Sequence, residues 1–178
     1  MQLLFMKTTL RWLLPISAAA LTGLVIASTT KNSERPDRGS PPTQAPPWEM
    51  RDVEGKLLKS PDLKGKVVIL DFWATWCGPC RLEIPDLVKL HKQYRSQGLV
   101  VIGASLDDGS AVVKSFMKQF NIGYPVAMAD EKIQRAFGGI EAIPTTYIID
   151  REGGIVHKHV GYTDRAQFER EIRPLLKP

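Results

Sequence analysis

The chain has 178 residues, enough for one domain plus terminal segments, and its 43% hydrophobic share is that of an ordinary globular protein. Its 24 Lys and Arg against 19 Asp and Glu give +5, yet five of those bases and two of those acids lie in residues 1–47, so the remainder is near balance. No run of Lys and Arg interleaved with aromatics occurs, and nucleic acid binding therefore has no support.

Lys7 and Arg11 precede the uncharged run Trp12–Ser28 (WLLPISAAALTGLVIAS). That order predicts a membrane-insertion segment over residues 1–28. It reads as an uncleaved signal-anchor, or as a signal peptide cut after the small residues near Ala27. The basic end normally stays in the cytoplasm. The rest of the chain is then expected on the extracytoplasmic side (periplasm or cell exterior), tethered to the membrane or secreted if the segment is cut. Residues 29–47 (TTKNSERPDRGSPPTQAPP) are rich in Pro, Ser and charge and predict an extended tether. Fully stretched, it reaches about 60 Å. Residues 48–178 are expected to form the domain.

Within the domain, Trp48–Val53 and Lys56–Leu58 predict two short strands about the turn Glu54-Gly55. Lys66–Trp76 (KVVILDFWATW) reads as a buried strand, and its near-continuous apolar run Lys66–Trp73 as a strand buried on both faces. Pro79–Gln97 has apolar residues at helical spacing, with Pro85 inside it. Leu99–Leu106 predicts a second buried strand, Ala111–Phe120 a helix, Tyr124–Met128 a strand and Glu131–Phe137 a short helix. Thr145–Ile149 and Gly154–Gly161 predict a hairpin across Asp150–Gly153. Asp164–Leu176 closes the chain as a helix, with Asp164 and Gln167 in capping-box register. Alternation of strands and helices followed by a closing hairpin predicts a three-layer α/β domain with a mixed sheet.

Cys77-Gly78-Pro79-Cys80 holds the only two cysteines, at the junction of a predicted strand and helix. A helix start offers unpaired N–H groups and a positive dipole end, which stabilise a thiolate. The thiolate is the nucleophile of disulfide exchange, so this placement predicts a redox-active pair. Three other readings compete. A staple closing so short a loop gains only about 2 kcal/mol, against about 4.7 for a hundred-residue loop. A zinc site needs four ligands, and only His157 and His159, on one face of a strand, are on hand to complete it. Inert buried thiols are the third. The three histidines read as surface residues rather than ligands.

Asp71 is the odd residue of its strand. A carboxylate in a buried apolar run is costly unless paired or protonated, and desolvation raises its pKa. Six residues before Cys77, it is placed to be general base for the Cys80 thiol; a backbone-bonded structural Asp is the alternative. Trp76, beside the nucleophile, reads as a contact for a peptide substrate, or as packing over the loop. Glu83 is expected in the first helical turn, where its charge suits the dipole, with proton transfer a lesser reading. Ile143-Pro144 opens a strand, a position where proline is tolerated.

LDFWATWCGPC, Pro85 five residues after Cys80, AIPT at Ala142–Thr145 and Val160-Gly161 together resemble the thioredoxin superfamily, over Ala45–Pro178. DLKGKVVIL, IPTTYIIDREGGIV and the N-terminal apolar segment make the chain similar to the TlpA/ResA-like branch of membrane-anchored thiol-disulfide oxidoreductases. The resemblance implies a thioredoxin-like α/β/α fold with an N-terminal β-hairpin extension. It makes Cys77 the attacking and Cys80 the resolving thiol, with no cofactor beyond their redox-active disulfide. It matches Asp71 to a buried aspartate, and Pro144 to a cis-proline facing the disulfide. Ile143 then offers its backbone to substrate, Trp76 and Gly161 line the groove, and Glu83 fills an acidic position after the motif. Gly103 stands where the family places a lysine beside the aspartate. The partners implied are disulfide-bearing proteins and a membrane thiol electron donor of the DsbD/CcdA type, for a monomeric enzyme. Reduction of exported proteins is the expected function. The alternatives are a dedicated apocytochrome c reductant in cytochrome c maturation and a redox-gated binding module without turnover. No Thr-x-x-Cys pattern occurs, so a peroxidase is not expected.

Overall fold

The computed structural model describes residues 42–176; the predicted membrane-insertion segment and most of the predicted tether lie outside these residues. The described strands are β1 (Thr43–Gln44), β2 (Glu49–Arg51), β3 (Leu57–Lys59), β4 (Val67–Trp73), β5 (Leu99–Ser105), β6 (Val126–Met128), β7 (Thr145–Ile149) and β8 (Gly154–Val160). The helices are α1 (Gly78–Tyr94), α2 (Ser110–Phe120), α3 (Glu131–Ala136) and α4 (Arg165–Leu176). Six strands form one mixed sheet in the order β1-β8-β7-β4-β5-β6, and β2 and β3 form a separate hairpin.

β4 sits at the centre because every one of its seven residues is buried. It pairs parallel with β5 and antiparallel with β7, in unbroken register. Its side chains alternate between two cores. Val67, Ile69 and Trp73 face the core made with α1, α2 and α4. Val68, Leu70 and Phe72 face the core made with α3 and the β2–β3 hairpin. Helices on one face, with a helix and a hairpin on the other, make the expected three layers. Phe72, Phe137 and Tyr147 cluster edge-on in the second core, and Tyr147 Oη donates to Phe137 O at 2.9 Å.

Several boundaries differ from those expected. The strand ends at Trp73 with its apolar run, and residues 74–77 turn to start α1. The helix expected to Gln97 becomes a 3-10 turn at Arg95–Gln97 and stops at Gly98, whose φ is +97°. It continues through Pro85. The domain begins earlier than Trp48. Thr43 and Gln44 pair antiparallel with Ile155 and Gly154, and Ala45 N donates to Gly153 O at 2.9 Å. A Pro-rich extended segment loses little by lying along a sheet edge, where only alternate amides are needed. At α4, Asp164 caps Gln167 N at 2.8 Å, while the Gln167 side chain reaches Glu171 instead of closing the box.

One side chain ties the far end of the sheet together. Arg151 donates to the carbonyls of Leu175 (3.1 Å), Leu176 (3.0 Å), Gly65 (3.1 Å) and Gln97 (3.4 Å). The planar guanidinium meets the unpaired carbonyls at the C-terminal end of α4 and two loop carbonyls at once. We expect Arg151→Ala to lose about 2 kcal/mol in urea unfolding, and Arg151→Lys to recover less than half, since one ammonium cannot span four acceptors. Full rescue by Lys would show that charge alone matters there.

Candidate functional site

The site begins where β4 turns into α1. Asp107, just beyond β5, holds that turn: its Oδ2 accepts from Thr75 N (2.9 Å) and Ser105 Oγ (2.8 Å), and its Oδ1 from Thr75 Oγ1 (2.6 Å). Nothing in its local sequence marked Asp107, because the 32 residues separating it from Thr75 close only in the fold. From this anchored turn Trp76 projects into solvent, 70% exposed.

Cys77 is the N-cap of α1, and its Sγ accepts from Cys80 N at 3.2 Å. Gly78 and Pro79 form the first helical positions, so no side chain larger than the proline ring crowds the sulfur from the helix start. Cys77 and Cys80 are joined as a disulfide with their Cα atoms 5.3 Å apart. Cys77 is 5% exposed and Cys80 fully buried, so an incoming group meets Cys77 first. Facing them is the loop before β7. Its Ile143–Pro144 bond is cis, and Ile143 O lies 3.6 Å from Cys77 Sγ. Gly161 N donates to Pro144 O at 2.8 Å, which fixes the β8 exit beside the same loop. Val160, Tyr162 and Leu82 are exposed nearby in sequence to these anchors. The structure therefore gathers Cys77, Cys80, Ile143, Pro144 and Gly161, with Trp76 at the rim.

Beneath lies a pair of buried acids. Asp71 is 1% exposed and Glu83 fully buried. Glu83 is not in the first turn of α1, as the sequence led us to expect. The helix starts at Gly78, which puts Glu83 in the second turn, facing inward. The helix dipole is not its partner. Its Oε2 accepts from Thr163 N at 2.6 Å, and its Oε1 is 3.2 Å from Thr146 Oγ1. The same hydroxyl is 3.2 Å from Asp71 Oδ1. Glu83 follows Cys80 by three residues, so the two share a helix face. Gly103 is the β5 neighbour of Asp71, and a Cβ there would meet Trp73 Nε1 at 2.7 Å. The indole fills the space in which a lysine partner would have to begin.

One hydroxyl proton serves one acceptor at a time. With Thr146 between two carboxyls, the chain of bonds is complete only when one carboxyl is protonated and donates to Oγ1. Asp71 is raised well above the ordinary carboxylate range, chiefly by burial, then by the Glu83 charge, against the Thr146 bond. Glu83 is raised from 4.5 to about 7, by burial, against its bonds from Thr163 and Thr146 and the pull of His159. The Thr163 amide favours a charged Glu83, while Asp71 Oδ2 has no partner among the described residues. Charging both acids at once is thus disfavoured, by burial and by their mutual repulsion. Tyr124, buried opposite, is raised by burial and then by both acids.

Among the described residues, no group of three or more His, Cys, Asp or Glu is arranged to hold a metal ion. His157 and His159 are half-buried rather than surface residues, and both approach Glu171 of α4.

The sequence profile of the AhpC/TSA family matches residues 41–158. The thiol-disulfide oxidoreductase ResA of Bacillus anthracis is 35% identical over 134 residues, 74% of this chain and 76% of its own. ResA of Bacillus subtilis strain 168 is 34% identical over 137 residues, 76% of this chain and 75% of its own. A crystal structure of a thioredoxin-family thiol:disulfide interchange protein from Chlorobium tepidum TLS is similar with a TM-score of 0.72 at 40% identity, over 78% of this chain and 99% of that one. A putative thiol:disulfide interchange protein DsbE from Chlorobium tepidum gives 0.71 at 32%, over the same shares.

The buried acids make stability depend on pH with a definite sign. Glu83 ordinarily titrates at 4.5 and in the fold at about 7, so between these values the folded chain binds more protons than the unfolded one. Stability therefore falls as pH rises through that window, by at most about 1.4 kcal/mol per pH unit for one such group. Urea unfolding of the oxidised protein across this window should show that decline, and Glu83→Gln should flatten it. An equal slope in the variant would remove Glu83 from the linkage.

Proposed function

The chain belongs to the AhpC/TSA family of thioredoxin-like proteins and is a thiol-disulfide oxidoreductase of the ResA-like kind; from that premise we propose that it reduces disulfides in extracytoplasmic proteins. The observation that carries this reading is the position of Cys77 at the start of α1. Its sulfur faces the Cys80 amide and the cis-proline loop, and Cys80 is sealed beneath it.

In the reduced enzyme the Cys77 thiolate attacks one sulfur of a substrate disulfide. That S–S bond breaks, a mixed disulfide forms and the first substrate thiolate leaves. Cys80 then gives its proton to the buried acids. Glu83 is the charged member that receives it, and Asp71, already protonated, supports that charge through Thr146. The Cys80 thiolate attacks Cys77 Sγ, the bond to substrate breaks, and the second substrate thiolate departs. Two electrons have passed to the substrate, and Cys77–Cys80 is oxidised. Trp76 and the Ile143 backbone position the substrate segment, with Gly161 leaving room beside it.

Restoring the dithiol needs an electron donor outside this chain, and a membrane thiol carrier of the DsbD/CcdA type fits a domain tethered by the residues before β1 to an N-terminal anchor. We place the enzyme on the extracytoplasmic side as a monomer. The Gly-Pro dipeptide is that of thioredoxin, whose potential is near −270 mV, and it favours the reducing direction.

Catalysis of insulin reduction by dithiothreitol tests turnover. Acceleration is expected, and its absence together with retained binding of one partner would indicate a binding module instead. Cys80→Ser should stall the mixed disulfide and capture extracytoplasmic proteins. Capture restricted to apocytochromes c would narrow the role to cytochrome maturation, and a potential above about −150 mV would make the protein an oxidant.

A further inference from the structure

A polar row crosses the sheet at the level of the buried acids. Asp71 on β4 is the cross-strand partner of Thr146 on β7, and Thr146 is the partner of His159 on β8. Directly paired residues project to one face with their Cβ atoms about 5 Å apart. His159 therefore stands beside Thr146 on the α1–α4 side, against Phe168 of α4 with ring centroids 5.8 Å apart. The row runs from a sealed interior to the surface: Thr146 is fully buried, whereas the His159 side chain is 19% exposed. His159 Nε2 meets Glu171 Oε2 at 2.7 Å. Glu171 Oε1 accepts from Gln167 Nε2 and lies 3.7 Å from His157 Nδ1.

Burial alone would raise Glu171, but bonds from His159 and Gln167 hold it below its ordinary value, so it is a carboxylate at neutral pH. A carboxylate on Nε2 fixes the tautomer in which Nε2 carries the proton and Nδ1 presents a lone pair. His159 Nδ1 makes no hydrogen bond among the described residues.

The geometry points to His159 as the station through which the buried Asp71–Thr146–Glu83 unit exchanges protons with solvent, with Glu171 as its positioning residue. This rests on the proposed role of Glu83 as acceptor of the Cys80 proton. The need for such a station follows from burial, since Cys80, Asp71, Thr146 and Glu83 are all 1% exposed or less. The proton that Cys80 loses on Glu83 passes from α1 through a water to His159 Nδ1, and the proton on Nε2 leaves by way of Glu171 to solvent. No electron moves in this step. The groups facing Glu83 are Thr146, the Thr163 amide, His159 and Asp86, with Asp71 across the Thr146 hydroxyl and Tyr124 within reach of its charge. Those facing His159 are Glu171, the parallel ring of His157, Phe168, Thr146 as its cross-strand partner and Glu83 by charge.

The test uses the reduced protein and dithionitrobenzoate. The first release of thionitrobenzoate reports attack by Cys77, and the second reports resolution by Cys80. His159→Gln keeps a hydrogen bond to Glu171 but cannot relay a proton. Glu83, pushed up to about 7, already holds a proton in part of the molecules at neutral pH and must pass it to His159 before Cys80 can transfer its own, so we expect the variant to leave the first release unchanged and to slow the second roughly tenfold, with a larger solvent isotope effect, as for loss of a proton-transfer group. Added imidazole should restore the second release. A second release at the wild-type rate overturns the inference. So does a slow release that imidazole does not restore, since that marks a packing defect. Glu83→Gln in the same assay separates the two readings. If it slows the second release while His159→Gln does not, only the relay fails. If neither does, the buried acids are not the acceptor.

Discussion

A sulfur that begins a helix is the constraint on which the rest of the structure depends. Cys77 occupies the N-cap of α1, and the amide of Cys80 points at its Sγ from 3.2 Å. The first turn of any helix has amides without intrahelical acceptors, and an anion placed there is stabilised by those amides and by the dipole. The sequence achieves this by running a wholly buried strand into the helix with only residues 74–77 between them, the last of them the cap. Asp107 fixes that turn from a neighbouring strand end, so the nucleophile is held by backbone geometry rather than by a flexible side chain.

The second constraint is the cost of what lies below. Two carboxyls in an apolar core would be destabilising if both were charged. The fold lowers that cost by placing a single hydroxyl between them and an amide on one of them. Two acids so placed titrate as a coupled pair, and in the proposed mechanism that pair takes up the Cys80 proton. The same burial that tunes these acids also isolates them, whereas His159, in the same cross-strand row on β8, is partly exposed.

Much of this was legible in the chain. The continuous apolar run of β4 and the period of α1 set the core, and the CGPC motif at their junction located the chemistry. Asp71 stood out because it interrupts an apolar strand. Glu83 was misread: it is the sixth residue of α1, past the first turn, and only the packing of α1 on the sheet shows that it faces the core rather than the dipole. Thr43 and Gln44 were hidden in a Pro-rich stretch that looks like a linker, since edge pairing needs no apolar pattern. Thr146, Asp107 and the His159–Glu171 pair had no local signal. Their partners are distant in sequence, and only strand register and helix packing bring them together.

The most direct measurement is the titration of Cys77 in the reduced protein, followed by thiolate absorbance or by the pH dependence of its alkylation. The account predicts a midpoint clearly below that of a free cysteine, roughly 7 or lower, as for thiols at helix starts. A midpoint near about 8.5, the value of an unperturbed thiol, would contradict it.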